Sequence, residues 1–392
     1  MKKILIVTRS MYKKGGVETA LLNMLDNISP LYDIDLLCFS LSDEYKKEIH
    51  KIGKNIKIIS SNFGLELLGK EQGFFSKYTI TYYLRVFLVV FTRIFGNRFV
   101  FSIILKSKKI DKNYDYAISY MQAAGKNILS DGNNRFVLEN VKANKKIVVI
   151  HSDYKREGFD NKYHVNLYSQ FDEIIAVSGC CKKQIIECVP EFEKKTSVLH
   201  NFYNVKDIKN RAKEQEIVFD YNVINFITVA RLSEEKGIFR MLNVIKKLVE
   251  MNIKNFRWHV IGGGGLYEEI VKLVKNSNIE EYVLLYGEKD NPYPYILNSD
   301  FLLVCSKYEA APMVIGEAQI LGIPVVSTET LSSREQIDDG KNGFVCDNSE
   351  EGLFDMLCGL LKKPEMIKEL RPIADKDYND QSLKELEKIM PR

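Results

Sequence analysis

No apolar run in these 392 residues approaches the ~20 needed to cross a bilayer. The opening MKKILIVTRS holds only the short run ILIV, far from a signal-peptide core, and reads as a buried first strand. Excess charge is missing too. Lys+Arg 56 against Asp+Glu 52 leaves +4, and a nucleic-acid partner, which would need concentrated basic surface, is not expected. A disulfide framework is also lacking: the seven cysteines (Cys38, Cys180, Cys181, Cys188, Cys305, Cys346, Cys358) are odd in number and scattered. Cys180, Cys181 and Cys188 lie close in sequence, yet no histidine follows at ligand spacing, so no metal site is expected. With these absences a reducing cytoplasm is the expected location.

What remains is ordinary globular material, 45% apolar and 28% charged, long enough for two domains each with its own core. Short strand-like runs alternate with helical patterns, the signature of a parallel sheet covered on both faces. In the first half the strands are Ile4–Val7, Ile34–Phe39, Tyr116–Ser119, Lys146–Ile150, Glu173–Val177 and Ser197–Leu199. A polar stretch, Asn204 to Asp220, reads as a linker, after which strands at Asn225–Val229, Arg257–Ile261, Val283–Tyr286, Phe301–Val304 and Pro324–Ser327 restart the pattern. The expected organisation is an N-terminal domain over 1–203, a second over 204–372, and a tail, 373–392, whose helix packs back on the first domain. Two doubly wound domains facing each other would bind ligands in the cleft outside the carboxyl ends of their strands.

One segment stands apart. Ser76–Ile110 carries Lys77, Arg85, Arg93, Arg98, Lys106, Lys108 and Lys109 among large apolar residues, with no Asp or Glu. That mixture suits a helix lying on an anionic membrane surface; the competing reading is a buried helix pair with basic ends.

Four motifs fall at strand ends. E-A-A-P-M-V-I-G-E, Glu309 to Glu317, follows the strand FLLVC; Pro312 favours a helix start, placing Glu309 on the loop and Glu317 early in the helix. Paired carboxylates there could accept hydrogen bonds from sugar hydroxyls, or be solvated surface acids. T-V-A-R-L-S-E-E-K-G places Arg231 and Lys236 on the loop after Val229, a fork and a point charge suited to a diphosphate, or a solvated loop. K-K-G-G-V-E-T-A joins the first strand to the first helix, where Gly15 and Gly16 let backbone approach a ligand and the helix start faces an anion. His151 ends the strand KKIVVI, at a position that points to the ligand crevice.

Together these residues resemble the glycosyltransferase family 4 of GT-B enzymes, in order and over essentially the whole chain, with the thinnest likeness between about 60 and 145. The glycine turn stands as Gly15-Gly16, the R-x4-K pair as Arg231 and Lys236, and the E-x7-E motif as Glu309 and Glu317. Ile261–Gly265, Gly287–Tyr293 and Asp339–Phe344 also resemble family segments. The resemblance implies a GT-B fold and a retaining hexosyltransferase that uses a UDP- or GDP-sugar without a metal or other cofactor. It implies that Arg231 and Lys236 hold the donor diphosphate, Glu317 the ribose and Glu309 the transferred sugar, with Gly15 and Gly16 approaching the donor. His151 and Glu309 would be the catalytic pair, and Gly287 and Asn291 would lie near the base. Ala310 and Ala311 stand where the family often has Gly after the first glutamate, and Phe202 where a glycine often follows Asn201. With 76–110 basic and apolar, a lipid-linked glycan acceptor at the inner face of the membrane is expected, as in capsule, exopolysaccharide or lipopolysaccharide assembly. A protein or soluble acceptor is the alternative.

Three competitors are weaker. Gly262–Gly265 invites a dinucleotide reading, but Tyr267 breaks the G-x-G-x-x-G spacing. Asp33-x-Asp35 mimics a metal-binding D-x-D at a place where Asp caps a strand. A non-catalytic partner subunit would be expected to lose part of the motif set, and this chain keeps it.

Overall fold

The computed structural model describes residues 1–13, 15–53, 55–71, 73, 75–77, 79–370 and 377–392. The chain forms two compact units, Met1–Phe202 with Asn379–Arg392, and Tyr203–Tyr378.

The first unit is built on seven parallel strands: β1 (Lys3–Met11), β2 (Asp33–Leu41), β3 (Ile56–Ile59), β4 (Asn113–Ser119), β5 (Lys142–Ile150), β6 (Glu173–Ala176) and β7 (Thr196–Val198). Their order is β3-β2-β1-β4-β5-β6-β7. The runs ILIV in β1 and IVVI in β5 do not alternate with polar residues because both faces of these strands are buried under helices. Asp35, of the D-x-D pattern, has partners of its own. It is buried in β2, where its carboxylate accepts from Lys112 Nζ at 2.7 Å and Tyr114 Oη at 2.6 Å.

The tail joins this unit from Asn379, later than position 373; residues 373–376 lie outside the described residues, and 377–378 group with the second unit. Its helix, Asp380–Ile389, is tied down by main-chain acceptors: Met390 O takes Tyr32 Oη at 2.5 Å, Pro391 O takes Tyr116 Oη at 2.9 Å and Ile389 O takes Lys145 Nζ at 3.0 Å.

The basic, apolar segment forms two helices, Ile80–Phe95 and Arg98–Ile104, broken at Gly96, whose φ of 81° admits glycine most readily. Ile80, Tyr83, Leu84, Phe87, Val90 and Ile94 recur at helical spacing and are exposed, as are Phe95, Phe99 and Ile103. The buried-pair reading fails for this face. Arg85 corrects the list of surface cations: it is 3% exposed and donates to Leu67 O, Lys70 O and Ser130 Oγ. Among the described residues no helix is long and apolar enough to cross a membrane.

The second unit repeats the design with β8 (Ile224–Val229), β9 (Phe256–Ile261), β10 (Val283–Leu285), β11 (Phe301–Val304), β12 (Val325–Thr328) and β13 (Gly343–Cys346), parallel in the order β10-β9-β8-β11-β12-β13. Phe226, Trp258 and Phe301 fill its core, and Trp258 Nε1 finds a partner in Thr228 Oγ1 at 3.0 Å. The stretch expected to link the domains and open the second begins as the helix Val205–Arg211, capped by the Asn204 side chain on Asp207 N. β3 and β13, both at sheet edges, are strands the sequence reading did not anticipate. In each unit the strand order reverses at one place, between β1 and β4 and between β8 and β11, and the crevice outside the carboxyl ends there is where such sheets bind ligands.

Candidate functional site

The loops after β8 and β11 meet at the switch point of the second sheet. Glycine makes this close approach possible. Gly237 sits at φ 71°, and a Cβ on it would lie 2.0 Å from Cys305 O. Lys307 N donates to Glu235 O at 2.8 Å, stitching one loop to the other. On the opposite side, a Cβ on Gly262 would lie 1.8 Å from Ala230 O, and Leu232 N donates to Gly263 O at 2.7 Å. The run I-G-G-G-G therefore clasps the loop that carries Arg231, backbone against backbone.

On this frame Lys236 Nζ lies 2.5 Å from Glu309 Oε1, both side chains mostly buried, and Ser306 Oγ donates to the same oxygen at 2.7 Å. Arg231 is far more exposed and pairs with Glu235 at 2.7 Å, where Ser233 also donates. Burial works against the Glu235 carboxylate, but the hydrogen bonds from Ser233 and Arg231 overcome it and hold its pKa at about 2. Each cation thus has a carboxylate counter-ion. The sequence reading missed Ser233, Glu235 and Ser306. The i,i+4 spacing of Arg231 and Glu235 was the available signal.

Glu309 lies on the loop and Glu317 in the helix Met313–Ile320, which follows Pro312. Glu317 is 9% exposed, and burial pushes its pKa up to about 7, against the pull of the Tyr293 hydroxyl and Arg211. Tyr293 Oη donates to its Oε1 at 3.3 Å. Gly287, after β10, adopts φ 69°, and its carbonyl accepts from Gly262 N at 2.9 Å. Asn291 is occupied as a clip: its Nδ2 donates to Arg211 O and Glu214 Oε2, both at 2.8 Å.

In the first unit, Gly15 caps the helix Gly16–Ile28 in extended conformation, so its φ does not demand glycine. A Cβ there would instead meet Glu18 Oε2 at 2.6 Å, while Gly16 faces open space. The negative group beside this helix start is Glu18's own carboxylate, which an anionic ligand would have to move. Lys14 of this motif lies outside the described residues. His151 follows β5; its N–H donates to Gln122 Oε1 at 3.1 Å and its ring lies 4.8 Å from that of Tyr120. Burial lowers its pKa to about 4, with the hydrogen bond to the Tyr120 carbonyl opposing. It is therefore neutral near pH 7, with a buried Nε2 that has no hydrogen-bond partner. Among the described residues no three His, Cys, Asp or Glu side chains gather at metal-holding distance. Nothing in the sequence singled out Gln122.

Residues 209–377 match the family described as glycosyl transferases group 1. The N-acetyl-alpha-D-glucosaminyl L-malate synthase of Bacillus anthracis is 27% identical, over 54% of this chain and 56% of its own length. The N-acetylgalactosamine-N,N'-diacetylbacillosaminyl-diphospho-undecaprenol 4-alpha-N-acetylgalactosaminyltransferase of Campylobacter jejuni is 26% identical, over 55% and 59%. The chain spans about half the length of the curated relatives it matches. In fold the likeness runs end to end: Anabaena HepE, crystallised with UDP-glucose, superposes with a TM-score of 0.69 at 16% identity, covering 99% of this chain and 100% of that one. Two doubly wound parallel sheets with this match define the fold, the GT-B architecture. Within it, the match to glycosyl transferases group 1 falls on the second unit.

Proposed function

We propose that the chain transfers a hexose from a nucleotide sugar, UDP-linked before GDP-linked, to a hydroxyl acceptor with retention of configuration and without a metal. The observation that carries this reading is the meeting, at the switch point of the second sheet, of Arg231 and Lys236 on one loop with Glu309 and Glu317 just beyond the neighbouring strand. Arg231 and Lys236 would exchange their carboxylate partners for the donor diphosphate and stabilise it as leaving group. Glu317 would accept from the ribose hydroxyls. Glu309, released from Lys236, would accept from the transferred sugar. His151 is proposed to approach that sugar as a neutral imidazole whose Nε2 accepts from a hydroxyl.

The proposed acceptor is a lipid-linked glycan of a surface polysaccharide. The Campylobacter relative is named for a diphospho-undecaprenol-linked sugar. The exposed apolar row from Ile80 to Ile103, flanked by the exposed cations Arg93, Arg98, Lys106 and Lys109, suits docking on the anionic inner face of a cell membrane. A panel of nucleotide sugars in a thermal-shift assay tests the donor. A ligand at about 100 times its Kd stabilises by about 2.7 kcal/mol, and the expected ranking puts UDP-sugars first. Donor hydrolysis by the purified protein is the companion measurement. Binding without any hydrolysis or transfer would favour a non-catalytic subunit, and no shift with any nucleotide sugar would sink the donor reading.

A further inference from the structure

Three short elements of the second unit converge on Glu317. The helix Met313–Ile320 carries it. The helix Tyr293–Leu297 brings Tyr293, whose hydroxyl donates to it. The helix Val205–Arg211, which opens the unit, brings Arg211: its guanidinium lies 5.1 Å from the centre of the Tyr293 ring and donates through Nη2 to Asp290 O at 2.7 Å. Asn291 returns the contact by donating to Arg211 O. Just before that helix, Tyr203 packs on the Glu317 helix so tightly that a Cβ on Gly316 would fall 2.3 Å from its ring. The charged and titratable groups around Glu317 are therefore Tyr293, Tyr203 and Arg211, with Asp207 at 3.6 Å from Arg211 and the Tyr378 ring 6.1 Å from that of Tyr203.

We infer that Tyr293, steadied by Arg211, is a positioning residue that keeps Glu317 an ionised, correctly aimed acceptor, so that the segment Tyr203–Arg211 is a working wall of the nucleoside site. This rests on the proposed donor reading. The physical reason is that a carboxylate so deeply buried loses its charge unless a donor compensates for the lost water. Tyr293 supplies that donor directly, and Arg211 both fixes the phenol ring and adds positive charge. Only the ionised form offers both oxygens as acceptors to two ribose hydroxyls. Ribose recognition thus depends on a segment about a hundred residues away in sequence.

Two readouts test this on the full chain. The first is the carboxyl 13C titration of Glu317 without ligand, identified by its loss in Glu317→Gln. Tyr293→Phe keeps the ring and removes only the hydroxyl; the Glu317 midpoint should move to higher pH, and Arg211→Gln should move it the same way. The second is UDP titration, with GDP in parallel, from pH 6 to 9. Affinity in Tyr293→Phe should fall about 3- to 10-fold at pH 6, equivalent to a midpoint displaced by about half to one pH unit, and return to the wild-type value at pH 9. A loss of affinity equal at every pH, or an unmoved carboxyl midpoint, overturns the inference and leaves Tyr293 a packing residue. If the wild type binds neither UDP nor GDP, the donor reading fails, whereas the carboxyl titration still decides whether Tyr293 and Arg211 govern Glu317.

Discussion

At the scale of single residues, the two phosphate candidates are not equivalent. Lys236 is mostly buried against Glu309, whereas Arg231 is largely exposed and paired with Glu235. Lys236→Ala should weaken UDP binding by about 1.5–3 kcal/mol, as for a charged hydrogen bond in a shielded place, and Arg231→Ala by less. Isothermal titration of both variants checks the order. The glutamates also separate. Glu317→Gln should weaken free UDP and the full donor alike, whereas Glu309→Gln, which only removes the counter-ion that UDP must displace from Lys236, should not weaken free UDP yet should lower transfer. Indistinguishable profiles would mean the roles are wrongly assigned. Glu317 leaves a mark on stability as well. Its folded pKa of about 7 stands above the ordinary 4.5, so its contribution is fully present below pH 4.5 and is lost as pH rises through 7. Glu317→Gln should therefore gain stability relative to the wild type between pH 5 and pH 8.5, by up to about 3 kcal/mol, which denaturant titration at the two pH values checks. His151, held at about 4, has the opposite sign: its contribution is present above pH 6.5 and lost as pH falls toward 4.

At the scale of elements, the site is a product of backbone contact. The loops after β8 and β11 approach closely because Gly237 has no side chain and a left-handed φ. Gly237→Ala incurs both a strained conformation, about 1–3 kcal/mol, and a collision with Cys305 O that cannot be relieved by rotating a side chain. The expected outcome is a lower melting temperature together with weakened UDP binding. Wild-type binding in that variant would show that the two loops need not touch. The basic helices invite a different measurement. Wild type should float with anionic liposomes, and charge reversal at Arg93 and Arg98 should reduce this, each cation being worth about 1 kcal/mol near such a surface. Arg85 belongs in no such test, because reversing it would strand a charge among Leu67 O, Lys70 O and Ser130 Oγ. If wild type stays unbound, the apolar row serves some other partner.

At the scale of the whole molecule, the chain leaves its first unit at Phe202 and returns to it at Asn379. The returning helix buries Leu386, Ile389 and Met390 and brings Glu385 within 2.9 Å of His200 Nδ1. Deleting 379–392 should destabilise the first unit by several kcal/mol, at about 1.5–3 for each large apolar side chain, and leave the melting of the second unit unchanged. Differential scanning calorimetry of the truncated chain checks this.

The sequence by itself determined the α/β class, the restart of the pattern near residue 220 and the placing of Arg231, Lys236, Glu309, Glu317 and His151 at strand ends. Those features follow from local physics: β-branched runs buried on two faces become parallel strands, and Pro312 starts a helix. β3 and β13 escaped because Lys57 interrupts the one short run and Gly343 opens the other, so neither reads as an unbroken apolar strand. Only the tertiary structure decided that Arg85 points inward while its neighbours face solvent, because the direction of one side chain depends on what packs beneath the helix. Only it paired Lys236 with Glu309, set Glu18 beside the first helix start and laid I-G-G-G-G against the backbone of the Arg231 loop. The joining of Arg211, Tyr293 and Glu317 was likewise out of reach of spacing, since it is made across three elements by a buried charge that the fold must keep partnered.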